Sequence, residues 1–113
     1  MRPMSSTTPT DTPTLVNVQF RVALTKAELV QAFEPEAPKL AKYPHMRWKL
    51  WTLDERTREF SGVYLFDNER AAREYLDGPV VAALRADPHF SDVRANAYPV
   101  LEGLSRVTRG PVG

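Results

Sequence analysis

A lysine, two tryptophans and a tyrosine crowd into one short stretch, "WKLWTLDERTREFSGVYLF", residues 48–66. Lys49 and Trp51 are two apart, so on a strand they share a face. If Lys49 is buried, desolvation would lower its pKa, and it could move a proton or steady a charge. The alternative is a lysine that snorkels out at the rim. Tyr64 offers a phenol that could move a proton or steady a developing charge. Asn17 could donate a hydrogen bond to an oxyanion. Trp51 would give a flat ring a stacking wall, and Phe60 and Phe66 would extend it. Gly62, among bulky strand neighbours, marks either a close approach or simple strand curvature. Aromatic walls with a few polar groups suit a small aromatic ligand. The same aromatics would serve equally as plain interface packing.

Other chemistries find little support. The chain has no cysteine, which excludes disulfides, thiolate catalysis and Cys-ligated metals. His45 and His89 stand alone, without a second ligand at metal spacing, so no metal site is expected. There is no G-x-S-x-G elbow, phosphate loop or dinucleotide fingerprint, and no cofactor is expected. A net charge of +1 gives no footprint for nucleic acid or an anionic membrane. No apolar run approaches the ~20 residues of a membrane span, and the N-terminus lacks a signal-peptide core. These features fit a cytoplasmic protein. At 113 residues and 42% apolar, the chain suffices for one domain.

The elements that must position these groups follow from periodicity. Residues 1–14 are rich in Ser, Thr and Pro and read as a disordered tail. Residues 15–23 alternate, with Val16, Val18, Phe20 and Val22 on one face. Residues 25–44 turn helical behind a Thr25/Glu28 capping box, and Pro35 and Pro38 demand a break near Glu34. The quoted stretch is a hairpin. Helices follow over 68–78, with Asn68 as N-cap, and from Pro79 to Ala86. A last strand covers 91–103, bent at Pro99. The folded domain spans 15–105, and 106–113 trail off as extended chain. The order β-α-β-β-α-β predicts an α+β, ferredoxin-like fold: a four-stranded antiparallel sheet with helices on one face.

Register decides which face holds the chemistry. With a turn at Asp54–Thr57, Leu53 opposes Arg58, Trp51 opposes Phe60 and Lys49 opposes Gly62. Met46, Trp48, Leu50, Val63 and Leu65 are then expected under the helices with Val16, Val18 and Phe20. The open face would carry Trp51, Phe60, Tyr64, Phe66 and Tyr98, with polar Asn17, Gln19, Lys49 and Asn96. So large an apolar patch predicts a homodimer, either plain or enclosing a ligand cavity. On this reading Trp48 serves the subunit's own core and Trp51 the dimer and whatever the dimer encloses.

The segments "WKLWT", "GVYLFDNERAAREYL" and "VLEGLS" resemble the YdhR-like mono-oxygenase family, a branch of the dimeric α/β-barrel superfamily. The resemblance runs from about Leu15 to about Ser105. It implies a homodimer packed sheet to sheet, with pockets between each sheet and its helices or the partner. It also implies relatives that include cofactor-free mono-oxygenases of polycyclic phenols and quinone precursors, haem degraders and cyclases. Positions matching a pocket are Trp51, Lys49, Tyr64, Asn17 and Tyr98. Where the family carries a histidine on its first strand, this chain has Gln19. Asn17, a tryptophan and His89 resemble the residue types of the haem degraders, but His89 falls beyond the helix end.

The resulting expectation is a cofactor-independent mono-oxygenase acting on a small aromatic phenol or quinone-type compound. Tyr64, Lys49 and Asn17 would be its catalytic groups. Trp51, Phe60, Gly62, Phe66, Gln19, Asn96 and Tyr98 would bind the ligand. The alternatives are a cyclase or isomerase using the same pocket, and a non-catalytic small-molecule-binding dimer.

Overall fold

The computed structural model describes residues 12–113. The expected tail over residues 1–14 therefore falls mostly outside the described residues. Thr14 does not belong to it: it starts the first strand, fully buried, paired with Phe66 and Pro99.

Strand β1 runs Thr14–Val22, helices α1 and α2 Lys26–Phe33 and Ala37–Ala41, and strands β2 and β3 Met46–Asp54 and Glu59–Phe66. Helices α3 and α4 follow at Glu69–Leu76 and Pro79–Ala86, then β4 at Phe90–Pro99 and α5 at Glu102–Val107. The sheet is antiparallel in the order β2-β3-β1-β4, the ferredoxin-like arrangement. The sequence signals for the helices have visible causes. Thr25 and Glu28 exchange both capping-box bonds, at 2.9 and 3.2 Å. The Asn68 carboxamide oxygen accepts from Ala71 N at 2.8 Å. The break between α1 and α2 falls after Phe33, where Pro35 and Pro38 cannot continue one ladder.

The hairpin register differs from the expectation. Asp54 opposes Glu59 and Leu53 opposes Phe60, leaving a four-residue turn over 55–58. The Asp54 carboxylate closes it by accepting from Arg56 N and Thr57 N, and Arg58 takes a left-handed φ of 60°. The Arg58 guanidinium then donates to the carbonyls of Val22, Ala23 and Leu24.

The slip keeps parity, so the two faces within the hairpin are those expected. The error lay in joining the hairpin to β1. Val16 pairs with Tyr64, Val18 with Gly62 and Phe20 with Phe60. Directly opposed residues share a face, so Trp51, Phe60, Tyr64 and Phe66 lie under the helices, not on the open side. Trp48, Leu50, Val63 and Leu65 take the open side. The helices cover the face with the larger aromatic area, which is the greater hydrophobic gain. Met46 alone of its expected group joins the core, because the extra residue Arg47 bulges out between Met46 and Trp48.

The expected extended C-terminus also differs. Helix α5 forms instead, braced by a Glu102–Arg106 ion pair at 3.0 Å. The chain then returns to the sheet. Trp48 Nε1 donates to the Pro111 carbonyl at 3.0 Å, and Arg47 Nη1 to that of Val112 at 2.7 Å. Val112 is only 7% exposed, and Leu65 on the same strand pair is 0% exposed. Six residues containing Gly103 hold too few turns to display a helical period, so sequence gave no sign of α5.

Candidate active site

Helix α3 packs on β1, β3 and β4, and α4 packs on β4. Its sheet-facing Ala71, Ala72 and Tyr75 complete the core with Val16, Val18 and Phe66. Helices α1 and α2 approach the sheet less closely, and beneath them lies a cavity of about 810 Å³. Its floor is the helix side of β1–β3: Phe20, Lys49, Trp51, Phe60 and Tyr64. Phe33 and Tyr43 close it from above, and Val80 and Leu84 of α4 from the far side.

Lys49 is the one cationic side chain on that floor. Its Nζ stands 3.5 Å from the Trp51 ring centroid and 4.5 Å from that of Tyr64, its cross-strand partner. None of the ion pairs among the described residues includes it. No carboxylate offsets its burial among the rings, and that burial pushes its pKa down to about 7. Gly62 makes room for the stem. A Cβ there would stand 3.1 Å from Lys49 Cε and 3.2 Å from Tyr64 Cε1.

The aromatic wall is continuous. Phe33 contacts Trp51 and Phe60, each at 5.4 Å between centroids, and Phe20 stacks on Phe60 at 4.8 Å. Behind it the Tyr75 hydroxyl donates to that of Tyr64 at 2.8 Å. Burial raises the pKa of both phenols, that of Tyr75 to about 12, so the pair stays protonated at neutral pH. At the rim stand Glu28, Glu36, Lys39, Asp87 and His89. Asp87 accepts from the backbone N of His89 at 2.8 Å and lies 2.9 Å from its Nδ1. These bonds, the backbone one foremost, hold the carboxyl below its usual range.

The structure thus brings together Lys49, Trp51, Phe60 and Tyr64, with Gly62 directly beneath. Phe66 lies one layer back, stacked 6.1 Å from Tyr64 and outside the lining. Asn17, Gln19, Asn96 and Tyr98 are on the opposite face, where Ser61 Oγ donates to Asn17 Oδ1 at 2.7 Å. The parity of β1 forbids Asn17 from sharing a site with Lys49. Asn17, a tryptophan and His89 do not converge either, because Asn17 and the cavity lie on opposite sides. Sequence reading missed Phe33, Tyr43 and Tyr75. The i, i+1, i+4 spacing of Ala71, Ala72 and Tyr75 marks a buried helix face, but nothing in sequence pairs Tyr75 with Tyr64. The Asp87-Pro88-His89 run was a legible Asx-type turn.

The family model described as "Putative mono-oxygenase ydhR" matches residues 15–111. The chain belongs to this family. The ydhR fold is shared more widely, at identities that speak only for architecture. An NE2512 protein of unknown function from Nitrosomonas europaea superposes with a TM-score of 0.63 at 18% identity, covering 80% of this chain and 91% of that one. SnoaB, a cofactor-independent oxygenase from Streptomyces nogalater, gives 0.60 at 18% identity over 79% and 93%. The heme degrader MhuD from Mycobacterium tuberculosis, with two hemes bound in its active site, gives 0.59 at 19% identity over 77% and 95%. No curated protein matches the chain significantly.

Proposed function

We propose that this ydhR-family chain is a cofactor-independent mono-oxygenase for a small planar phenol or enol of the quinone-precursor type. The observation that carries the reading is Lys49: an amine on the floor of an aromatic cavity, with burial favouring its uncharged form near pH 7. A phenol lying against Trp51 and Phe33 would lose its proton to Nζ. The resulting ammonium would hold the phenolate, and the apolar walls would keep water from competing. The anion then gives an electron to oxygen. Recombination at ring carbon forms a hydroperoxide, which loses water to leave a carbonyl. Overall one CH₂ and one O₂ become one C=O and one H₂O. The Tyr64–Tyr75 pair, fixed in its protonated state, serves as a hydrogen-bond donor and not as a base.

The same proposal includes a second copy of the chain on the open sheet face. Leu50, Tyr98, Leu101, Leu104 and Val107 are 54–78% exposed there and on α5. Among the described residues, no helix is long and apolar enough to cross a membrane.

The test is oxygen uptake with an anthrone, with and without a chelator. Chelator-insensitive uptake that disappears in Lys49→Met is the expected result. Turnover of an enolisable ketone without uptake would replace the reading with an isomerase or cyclase. Saturable binding without turnover would leave a binding protein.

A further inference from the structure

We propose that Lys49 captures planar aromatic aldehydes and ketones as a reversible imine, making the cavity a carbonyl-binding site. This goes beyond the oxygenase reading: it needs neither oxygen nor an acidic substrate. Three features of the site carry it. First, the amine has no carboxylate partner among the described residues, so no ion pair holds it as an ammonium. Second, its stem crosses Gly62, and a side chain at that position would press on Lys49 Cε. Third, the space in front of it is apolar, aromatic and about 810 Å³, enough to seat a fused ring system against Trp51.

The chemistry balances without a co-reactant. The Nζ lone pair attacks the carbonyl carbon, forming the C–N bond while the π electrons move to oxygen. The nitrogen loses one proton and the oxygen gains one, giving a carbinolamine. Loss of water then forms C=N. The net change is one amine plus one carbonyl to one imine plus one water, and hydrolysis reverses it. The uncharged imine suits an apolar site better than the ammonium it replaces. The lowered pKa agrees with this assignment by raising the share of free amine at neutral pH.

The chain supplies its own controls. Its four lysines are Lys26, Lys39, Lys42 and Lys49, and the first three are exposed. The full chain is incubated with substoichiometric 2-hydroxy-1-naphthaldehyde at pH 7.5, reduced with borohydride and mapped by peptide mass spectrometry. Lys49 is expected to be labelled at least about tenfold faster than the other three. Labelling should be slowed by 2-naphthol, which offers the same fused ring without a carbonyl. Its rate should level off above pH 7, where an ordinary lysine would keep rising. Lys49→Arg, which keeps a long cationic chain, should abolish the fast adduct. Labelling spread over Lys26, Lys39 and Lys42, or indifferent to 2-naphthol, would overturn the proposal. Oxygen uptake on anthrone is scored separately. Labelling without uptake removes the oxygenase reading alone, and uptake without labelling removes this one alone.

Discussion

Lys49 sets the behaviour of the site at the residue scale. In the folded protein its pKa is pushed down to about 7, against an ordinary 10.5. Below pH 7 both folded and unfolded chains carry the proton, and the cost of burying the charge is fully present. Between pH 7 and about 10 the unfolded chain holds a proton that the folded one lacks, so stability rises with pH. Lys49→Met should remove this slope and stabilise the protein by about 1–3 kcal/mol at pH 6. Denaturant unfolding of both proteins at pH 6, 8 and 9.5 measures it. A variant that is less stable at pH 6 would show that the amine is not desolvated.

Tyr75 gives a second prediction at this scale. Its hydroxyl is the bonded partner of Tyr64. Tyr75→Phe leaves the buried Tyr64 hydroxyl without that bond and should cost about 1–2 kcal/mol in the same assay. A neutral result would mean that water replaces the lost donor. Sequence showed the types and spacing of Lys49, Trp51 and Tyr64 but not their surroundings. Burial of an amine depends on which rings arrive from α1 and α2, and no local pattern records that.

Elements explain where the sequence reading succeeded and where it turned over. Helices α1, α3 and α4 were legible because caps and prolines act locally, at Thr25, Asn68 and Pro79, whereas α5 was not. The assignment of faces was not, because parity passes from strand to strand only through register. The turn at Asp54 and the pairing of Val16 with Tyr64 are long-range facts. The two tryptophans consequently exchange the sheet faces expected of them. Trp51 walls the cavity, and Trp48 anchors the returning C-terminus through Pro111. Trp51→Ala should weaken 2-naphthol binding at least about tenfold, for loss of a stacking ring. Trp48→Ala should leave binding intact and expose the C-terminal segment. Limited proteolysis with mass detection of residues 108–113 separates the two. Equal binding loss in both variants would refute the division.

For the whole molecule, the sheet is worked on both sides. One side holds the core and the cavity. The other holds the C-terminal strap over β2 and leaves the exposed apolar residues beside it. A second copy on that side predicts a dimer that Leu104→Glu converts to monomer. Light scattering after gel filtration reads the mass, and unchanged circular dichroism would show the subunit intact. Leu104 is 69% exposed, so the substitution takes nothing from the subunit's own core. A dimer that survives it would move the interface off α5.

The two bulges govern how this sheet can change in length. Arg47 is the extra residue in β2, and Asp92 with Val93 opposes Phe20 in β4, with Asp92 at a left-handed φ of 54°. Each places residues three apart on one side: Met46 with Lys49, and Phe90 with Val93. Elsewhere in β2, inserting or deleting a single residue would carry Lys49 out of the cavity and Trp48 into it. Single-residue gaps among ydhR relatives should therefore collect at these two positions. A gap elsewhere in β2 would put the residue at the Lys49 position on the wrong side of the sheet.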